Sequence, residues 1–93
     1  MSTDASDGAR ALPIVDFSTF VLSLATAALY QLGAVPDAGT GEPAPADPLV
    51  ARQTLETLEM LREKTQGNLS EDERTLLDSL LYDLRMRFIE LRR

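Results

Sequence analysis

Residues 17–33 read FSTFVLSLATAALYQLG, and no residue in this run carries a charge. A helix this apolar crosses a membrane, is removed as a leader, or packs into a core, so its destination decides the fold. Asp16 precedes the run and is a good helix N-cap, because its carboxylate can accept the free amides of the first turn. Gly33 suits the position just after a helix. The pattern therefore predicts a first helix over residues 16–32.

A membrane span and a secretory leader are the two alternatives to a core helix. From Phe17 to Leu32 an α-helix would cover about 24 Å, against roughly 30 Å of hydrocarbon in a bilayer. Aspartates flank the run at positions 16 and 37, without the basic cluster of a membrane anchor. Two aspartates and one arginine precede Asp16, where a leader needs a basic segment. The sequence therefore favours a core or interface helix in a cytoplasmic protein.

A loop rich in proline and glycine follows, and a second helix comes after it. Residues 33–47 read GAVPDAGTGEPAPAD, which can sustain neither a helix nor an interior strand. A loop of this length suggests a mobile linker or a crossover that spans the body of the protein. Asp47 then provides an N-cap and Pro48 occupies the first helical position, where its missing amide costs nothing. The second helix is predicted over residues 48–66, with Gly67 as its stop.

A third helix is predicted over residues 71–92. Ser70 and Glu73 have the spacing of a capping box, and acidic residues fill the first turn. Only about four residues separate this helix from the preceding one, which predicts an antiparallel hairpin. The fold class is therefore all-α, with three helices and no strand. We expect residues 1–13 to be a disordered head, and residues 14–93 to form a single helical domain.

The faces of the helices predict more apolar surface than three helices can bury. On the third helix an inner stripe of leucines and Phe88 faces one way, while Tyr82, Met86 and Ile89 form a second stripe roughly 140° away. The first helix is apolar almost all round, so part of it would remain in water in a monomer. We therefore predict a homodimeric helical bundle, with a monomer as the alternative. The predicted interface anchors are Leu24, Leu29, Tyr82, Met86 and Ile89.

Composition argues against several classes of function. The chain has no cysteine and no histidine, which removes the commonest general base, thiolate ligand and metal ligand. We therefore predict no catalytic residue, metal site or cofactor. The net charge of −6 disfavours general binding to nucleic acid. Three glutamates on one side of the second helix are interpreted as a solvated face paired with arginines rather than as metal ligands. These are Glu56, Glu59 and Glu63, with Arg52 and Arg62 as the expected partners.

The C-terminal end of the third helix is locally basic. It carries Arg85, Arg87, Arg92 and Arg93. Positive charge at this end of a helix is expected from the helix dipole alone. Contact with an acidic partner or with RNA is the alternative, and the sequence leaves the role of these arginines open.

The ordered part of the chain resembles a bacterial family, the domain of unknown function 1844. The resemblance lies in DFSTFVLSLATAALYQLGAVPD at 16–37 and in PLVARQTLETLEMLREKTQGNLSEDERTLLDSLLYDLRMRF at 48–88. It includes the position of the linker, although this linker is richer in alanine and proline than is typical of the family. The family carries no established activity, so the resemblance implies the fold and transfers no site residue.

These observations lead to one functional hypothesis and one alternative. We expect a small non-enzymatic helical protein that forms homo-oligomers or binds an unidentified protein partner. The alternative is a membrane-peripheral adaptor that lays its first helix, residues 16–32, on lipid. Such helices usually carry basic residues beside their apolar face, and this one has none, so membrane contact is not favoured.

Overall fold

The computed structural model describes residues 15–37, 39–43 and 45–92. Within those ranges the chain forms three α-helices and no strand: α1 Phe17–Gln31, α2 Pro48–Lys64 and α3 Glu71–Arg92. Every pair of helices is in contact, and each contributes to one core. The all-α, three-helix fold is therefore confirmed. The predicted disordered head lies outside the described residues.

Both ends of α1 are closed as the sequence predicts. The Asp16 carboxylate accepts a hydrogen bond from the Thr19 amide at 2.8 Å. That backbone hydrogen bond lowers the pKa of Asp16, because it stabilises the charged carboxylate. At the other end Gly33 has a φ of 70°, and the next amide, that of Ala34, donates to the Leu29 carbonyl at 2.9 Å. This 6→1 bond is typical of a Schellman motif, which needs a left-handed residue and therefore favours glycine.

The starts of α2 and α3 are also confirmed. Asp47 caps α2 through a hydrogen bond from the Val50 amide at 3.4 Å, and Pro48 occupies the first turn. At α3 the Glu73 amide donates to the Ser70 hydroxyl at 3.1 Å, and the Ser70 amide donates to the Glu73 carboxylate at 2.8 Å. These reciprocal bonds form the predicted capping box.

The end of α2 differs slightly from the prediction. The helix ends at Lys64 with Thr65 as its C-cap, two residues before the predicted end. The Thr65 hydroxyl donates to the Leu61 carbonyl at 2.7 Å, which satisfies a carbonyl of the last turn. Gly67, with a φ of 87°, belongs instead to the turn closed by the Asn68 amide and the Thr65 carbonyl at 2.9 Å. The glycine is needed for the turn of the hairpin rather than for the helix cap.

The loop between α1 and α2 returns to the place where it begins. The Asp47 amide donates to the Gln31 carbonyl at 2.7 Å, so the end of α1 lies beside the start of α2. Between them Pro36 and Pro43 lie opposite each other in an antiparallel arrangement, and the Asp37 amide donates to the Glu42 carbonyl at 2.7 Å. A crossover that spans the body is therefore wrong. Local hydrogen bonds close the loop, which places α1 and α2 side by side.

The core is built from leucines on α2 and α3 against small residues on α1. Ala25 and Ala28 are 3% and 0% exposed, and their size lets α1 approach the hairpin closely. The predicted inner stripe of α3 is buried at Leu77, Leu81 and Leu84 and partly buried at Leu80 and Phe88. Leu91, in the last turn, is 38% exposed. Among the described residues, the buried apolar side chains are Val21, Ala25, Ala28, Leu32, Ala51, Leu55, Leu58, Leu77, Leu81 and Leu84.

Candidate functional site

A row of large apolar side chains lies on α3 away from the core. Tyr82, Met86 and Ile89 are 67%, 44% and 52% exposed. Their spacings of four and three residues place them on one side of the helix, roughly 140° from the buried leucines. We call these three residues the outer row. The structure therefore brings together three of the five predicted interface anchors.

The other two predicted anchors, Leu24 and Leu29, lie on α1. Both are partly buried and pack against the core cluster. By helical geometry they flank the buried arc of α1 on opposite sides, so they do not form one surface with each other. Their role as interface anchors stays a prediction, and the outer row is the continuous part of the predicted surface.

Charged side chains flank the outer row with opposite signs on its two sides. Arg85 and Arg92 follow one side at the level of the row, and we call them the basic flank. Asp83 and Glu90 follow the other side, and we call them the acidic flank. Measured around the helix axis, the mean position of each pair lies less than 90° from the row. Asp78 lies on the basic side about one turn before the row and is the exception to this pattern.

Ion pairs hold several of these groups in place. The Arg85 guanidinium reaches across to Glu59 of α2 at 2.9 Å, and Arg87 pairs with Asp83 at 3.0 Å along α3. Each group in these pairs is about half exposed, so each pair contributes little to stability, about 1 kcal/mol or less. Their effect is to orient the charges on both sides of the outer row.

The acidic side of α2 shows one correction to the predicted pairing. Arg52 pairs with Glu56 at 3.2 Å, as expected. Arg62 instead pairs with Asp78 of α3, and this hydrogen bond raises the pKa of the Arg62 guanidinium. Helical periodicity predicts only partners within α2, whereas the hairpin brings Asp78 of α3 beside Arg62.

A shallow groove between α2 and α3 adjoins the outer row. It has a volume of about 250 Å³, and Ile89 belongs both to its wall and to the row. Leu55 and Phe88 provide apolar surface in the groove, and the Arg92 guanidinium lies 5.6 Å from the centre of the Phe88 ring. That distance is within the range of a cation–π contact. The residues that line the groove are Arg52, Leu55, Glu56, Glu59, Arg85, Phe88 and Ile89.

Comparison with known protein families identifies the family of this chain. A sequence model described as "Domain of unknown function (DUF1844)" matches residues 14–90, which is most of the chain. The chain belongs to the DUF1844 family. Comparisons with curated proteins and with solved structures found no match. In this DUF1844 domain α1, α2 and the outer row lie within the matched range, and α3 extends two residues beyond it.

Two features are absent from the described residues of the DUF1844 domain. In those ranges no group of three or more aspartate, glutamate, cysteine or histidine residues could hold a metal ion. Across the same ranges no helix has both the length and the apolar character needed to cross a membrane.

The outward side of α1 carries groups that the sequence interpretation only partly anticipated. The Ser23 and Thr26 hydroxyls donate to the carbonyls of Phe20 and Leu22 at 2.8 and 2.9 Å, so both are satisfied within the helix. Phe20, Leu22 and Tyr30 are 43%, 46% and 39% exposed and were not among the predicted anchors. Projection of α1 from its buried alanines would have placed Tyr30 opposite them and Phe20 and Leu22 at the two edges of the buried arc.

The charged flanks and the groove were also missed from the sequence. The signal for the flanks is present in the helical periodicity of α3, where arginines and acids recur on opposite sides of Tyr82, Met86 and Ile89. The groove has no such signal, because it depends on the distance between α2 and α3.

Proposed function

We propose that this DUF1844 domain is a non-enzymatic interaction module that associates through the outer row of α3. The simplest partner is a second copy of the same chain. The proposal extends beyond family membership, because the family description names no activity.

The observation that supports it is the exposure of Tyr82, Met86 and Ile89 on one side of a long helix. Soluble proteins expose single apolar residues routinely, whereas an ordered row of three large ones is typical of a contact surface. Tyrosine and methionine are also enriched in interfaces, since both offer large contact areas. A helix that packed only against the other two helices of its own chain would need its inner stripe and no second one.

The outer row is too small to form a stable interface alone. Three side chains of at most about 250 Å² each, roughly half exposed, provide about half of the 800 Å² that each partner usually buries. The groove beside Ile89 supplies adjacent surface, in which Phe88 is partly exposed and Leu55 is almost fully buried. Row and groove together therefore form the proposed contact area.

Light scattering tests the proposal on the full chain. At a protein concentration in the tens of micromolar, we expect about twice the mass of one chain, and we expect Met86→Glu to lower the mass towards that of a monomer. The substitution places a charge in the middle of an interface that excludes water, where an unpaired charge is costly. Gln53→Glu is the matched control, because Gln53 is exposed on α2 outside the row and should leave the mass unchanged.

Two results would contradict self-association through the outer row. One is a monomeric mass for the unsubstituted chain at this concentration. The other is a dimeric mass that Met86→Glu leaves unchanged while circular dichroism shows the same helix content. The second result would place the interface elsewhere on the molecule.

A membrane-peripheral adaptor is the second candidate, and one observation favours it. The helix α1 carries no charged residue, and it exposes part of Phe20, Leu22 and Tyr30. Liposome flotation distinguishes this candidate from self-association. A protein that works as a dimer stays at the bottom of the gradient, whereas an adaptor floats with the vesicles and loses flotation in Phe20→Glu. Flotation that depends on Phe20 would overturn the preference for α3.

A further inference from the structure

We propose that the second copy packs with the two α3 helices parallel, around a two-fold axis that runs along them. In this arrangement the outer row meets its own counterpart, and the basic flank of each copy faces the acidic flank of the other. This inference rests on the proposed self-association through α3 and specifies its geometry.

The spacing of the outer row is that of a coiled-coil seam. Tyr82, Met86 and Ile89 alternate by four and three residues, which keeps their side chains along one line towards a neighbouring helix. Towards the N-terminus the same line continues through the smaller residues Thr75 and Ser79. Large side chains therefore concentrate the contact in the C-terminal half of α3.

The signs of the flanks distinguish the two ways in which a helix can pair with its own copy. In an antiparallel pair each flank faces the identical flank of the partner, so Arg85 and Arg92 would oppose arginines and Asp83 and Glu90 would oppose acids. In a parallel pair each flank faces the opposite flank. Like charges that face each other across a contact are destabilising, and opposite charges set partner orientation. In the parallel arrangement opposite charges therefore meet on both sides of the two-fold axis, and both sides favour it.

The ion pair that this arrangement predicts next to the seam joins Arg85 to Glu90 of the partner subunit. These positions lie on either side of the seam five residues apart, which is the spacing of an interhelical ion pair in a parallel coiled coil. Arg85 already bonds Glu59 through its Nε atom. A guanidinium has five N–H donors, so Arg85 can retain that bond and still donate to a second carboxylate.

Asp78 is the acid of α3 that lies nearest to the row on the basic side, and Glu71 lies two turns further towards the N-terminus. Asp78 does not reverse this balance. It lies before the outer row, beside the small residues of the seam, and it is paired with Arg62 of α2 within the same chain. Along α3 the flanking charges nearest to Tyr82, Met86 and Ile89 are arginines on one side and acids on the other. Glu59 of α2 and Arg87 of α3 neutralise Arg85 and Asp83 in part, which leaves Arg92 and Glu90 to keep the two sides opposite in sign.

Disulfide cross-linking of single-cysteine variants tests the orientation. The chain has no cysteine of its own, so each variant has one reactive thiol. Tyr82→Cys and Ile89→Cys place that thiol at two levels of the seam, about 10 Å apart along α3. A disulfide needs Cα atoms within about 7 Å of each other. In a parallel pair both variants meet their own copy, so both should form linked homodimers under mild oxidation.

An antiparallel pair gives a different result because only one level of the helix can face itself. If Tyr82 meets its own copy, the two Ile89 positions are about 20 Å apart. If the axis passes between the two levels, linked product forms only when the two variants are mixed. One variant therefore carries a tag that changes its mass, so that mixed and unmixed products separate on a gel. Gln53→Cys, exposed on α2, measures linkage by random collision.

The outcomes separate this inference from the proposed function. Efficient self-linkage of both Tyr82→Cys and Ile89→Cys, well above the Gln53→Cys control, supports the parallel pair. Self-linkage at one level alone, or linkage only in the mixture, overturns the parallel arrangement and leaves self-association through the outer row intact. Linkage no greater than the control at both levels and in the mixture overturns both.

Discussion

The outward sides of α1 and α3 differ in how they expose apolar surface. On α1 the exposed side carries no charge, and the Ser23 and Thr26 hydroxyls are satisfied within the helix. On α3 the outer row lies between arginines on one side and acids on the other. A side without charges has no feature that orients a partner, whereas a basic and an acidic flank favour one orientation of the partner over another. The comparison indicates that α3 is the better specified interaction surface.

The inner sides of the same helices differ as well. α1 packs through Val21 and two alanines, whereas α3 packs through Leu77, Leu81 and Leu84. Small buried residues allow a close approach between helices, while leucines supply most of the buried apolar area. We therefore expect α1 to be sensitive to added volume and α3 to be sensitive to lost volume.

The largest expected effect is the loss of volume on α3. Leu81 is 1% exposed, so Leu81→Ala should lower the free energy of unfolding by about 2–5 kcal/mol through lost burial and a residual cavity. Leu49→Ala is the matched control, because Leu49 is 77% exposed and its truncation should cost less than about 0.5 kcal/mol. Urea denaturation measures both. Similar losses for the two variants would contradict the core described above.

Added volume on α1 should have the next largest effect. Ala28 is fully buried, so Ala28→Leu should destabilise the fold by about 1–3 kcal/mol by forcing α1 away from the hairpin. Ser23→Leu adds a similar side chain on the exposed side of α1 and should change the free energy of unfolding little. If Ala28→Leu leaves the stability unchanged, close approach of α1 is not required and the contrast between the two helices fails.

Loss of the α3 cap should have a smaller effect. Ser70→Ala removes the hydroxyl that accepts from the Glu73 amide and should cost about 1 kcal/mol. Ser79→Ala, at an exposed position within α3, removes the same hydroxyl without removing a cap and should be nearly neutral. Thermal unfolding followed by circular dichroism compares the two. Equal melting temperatures would show that the capping box does not limit the stability of α3.

The smallest effect concerns the pH dependence of the α1 cap. The pKa of Asp16 is lowered in the folded state, so its stabilising contribution is present above the unfolded pKa of about 3.9 and is lost as the pH falls through the folded value. Asparagine caps helices about as well and does not titrate in this range. The stability of the unsubstituted chain should therefore fall relative to Asp16→Asn as the pH decreases below about 4. A difference between the two that is independent of pH would contradict an ionised cap.

Most of the fold could be predicted because its signals are local. Asp16, Asp47 and Ser70 each cap a helix through bonds to residues three positions away, and Gly33 ends α1 through its own backbone conformation. Such interactions depend only on neighbours in the sequence. The outer row followed from helical periodicity for the same reason. A homodimer and a cytoplasmic location stay predictions.

Less of the candidate site could be predicted, since its surroundings depend on distant parts of the chain. The pairing of Arg62 with Asp78 and of Arg85 with Glu59 requires α2 and α3 to lie side by side at a particular distance and rotation. The groove beside Ile89 has the same requirement. Sequence periodicity describes one helix at a time and does not contain the rotation between two helices.

The sequence by itself determined where the three helices begin, which residues α3 turns away from its core, and that α2 and α3 form a hairpin. Backbone conformation, capping bonds and helical periodicity act within a few residues, so these features need no tertiary information. Only the tertiary structure decided that the loop closes between Gln31 and Asp47, that Ala25 and Ala28 face the hairpin, and which acids the arginines reach. These features arise from packing, because the burial of one face of each helix sets the contacts of all the others.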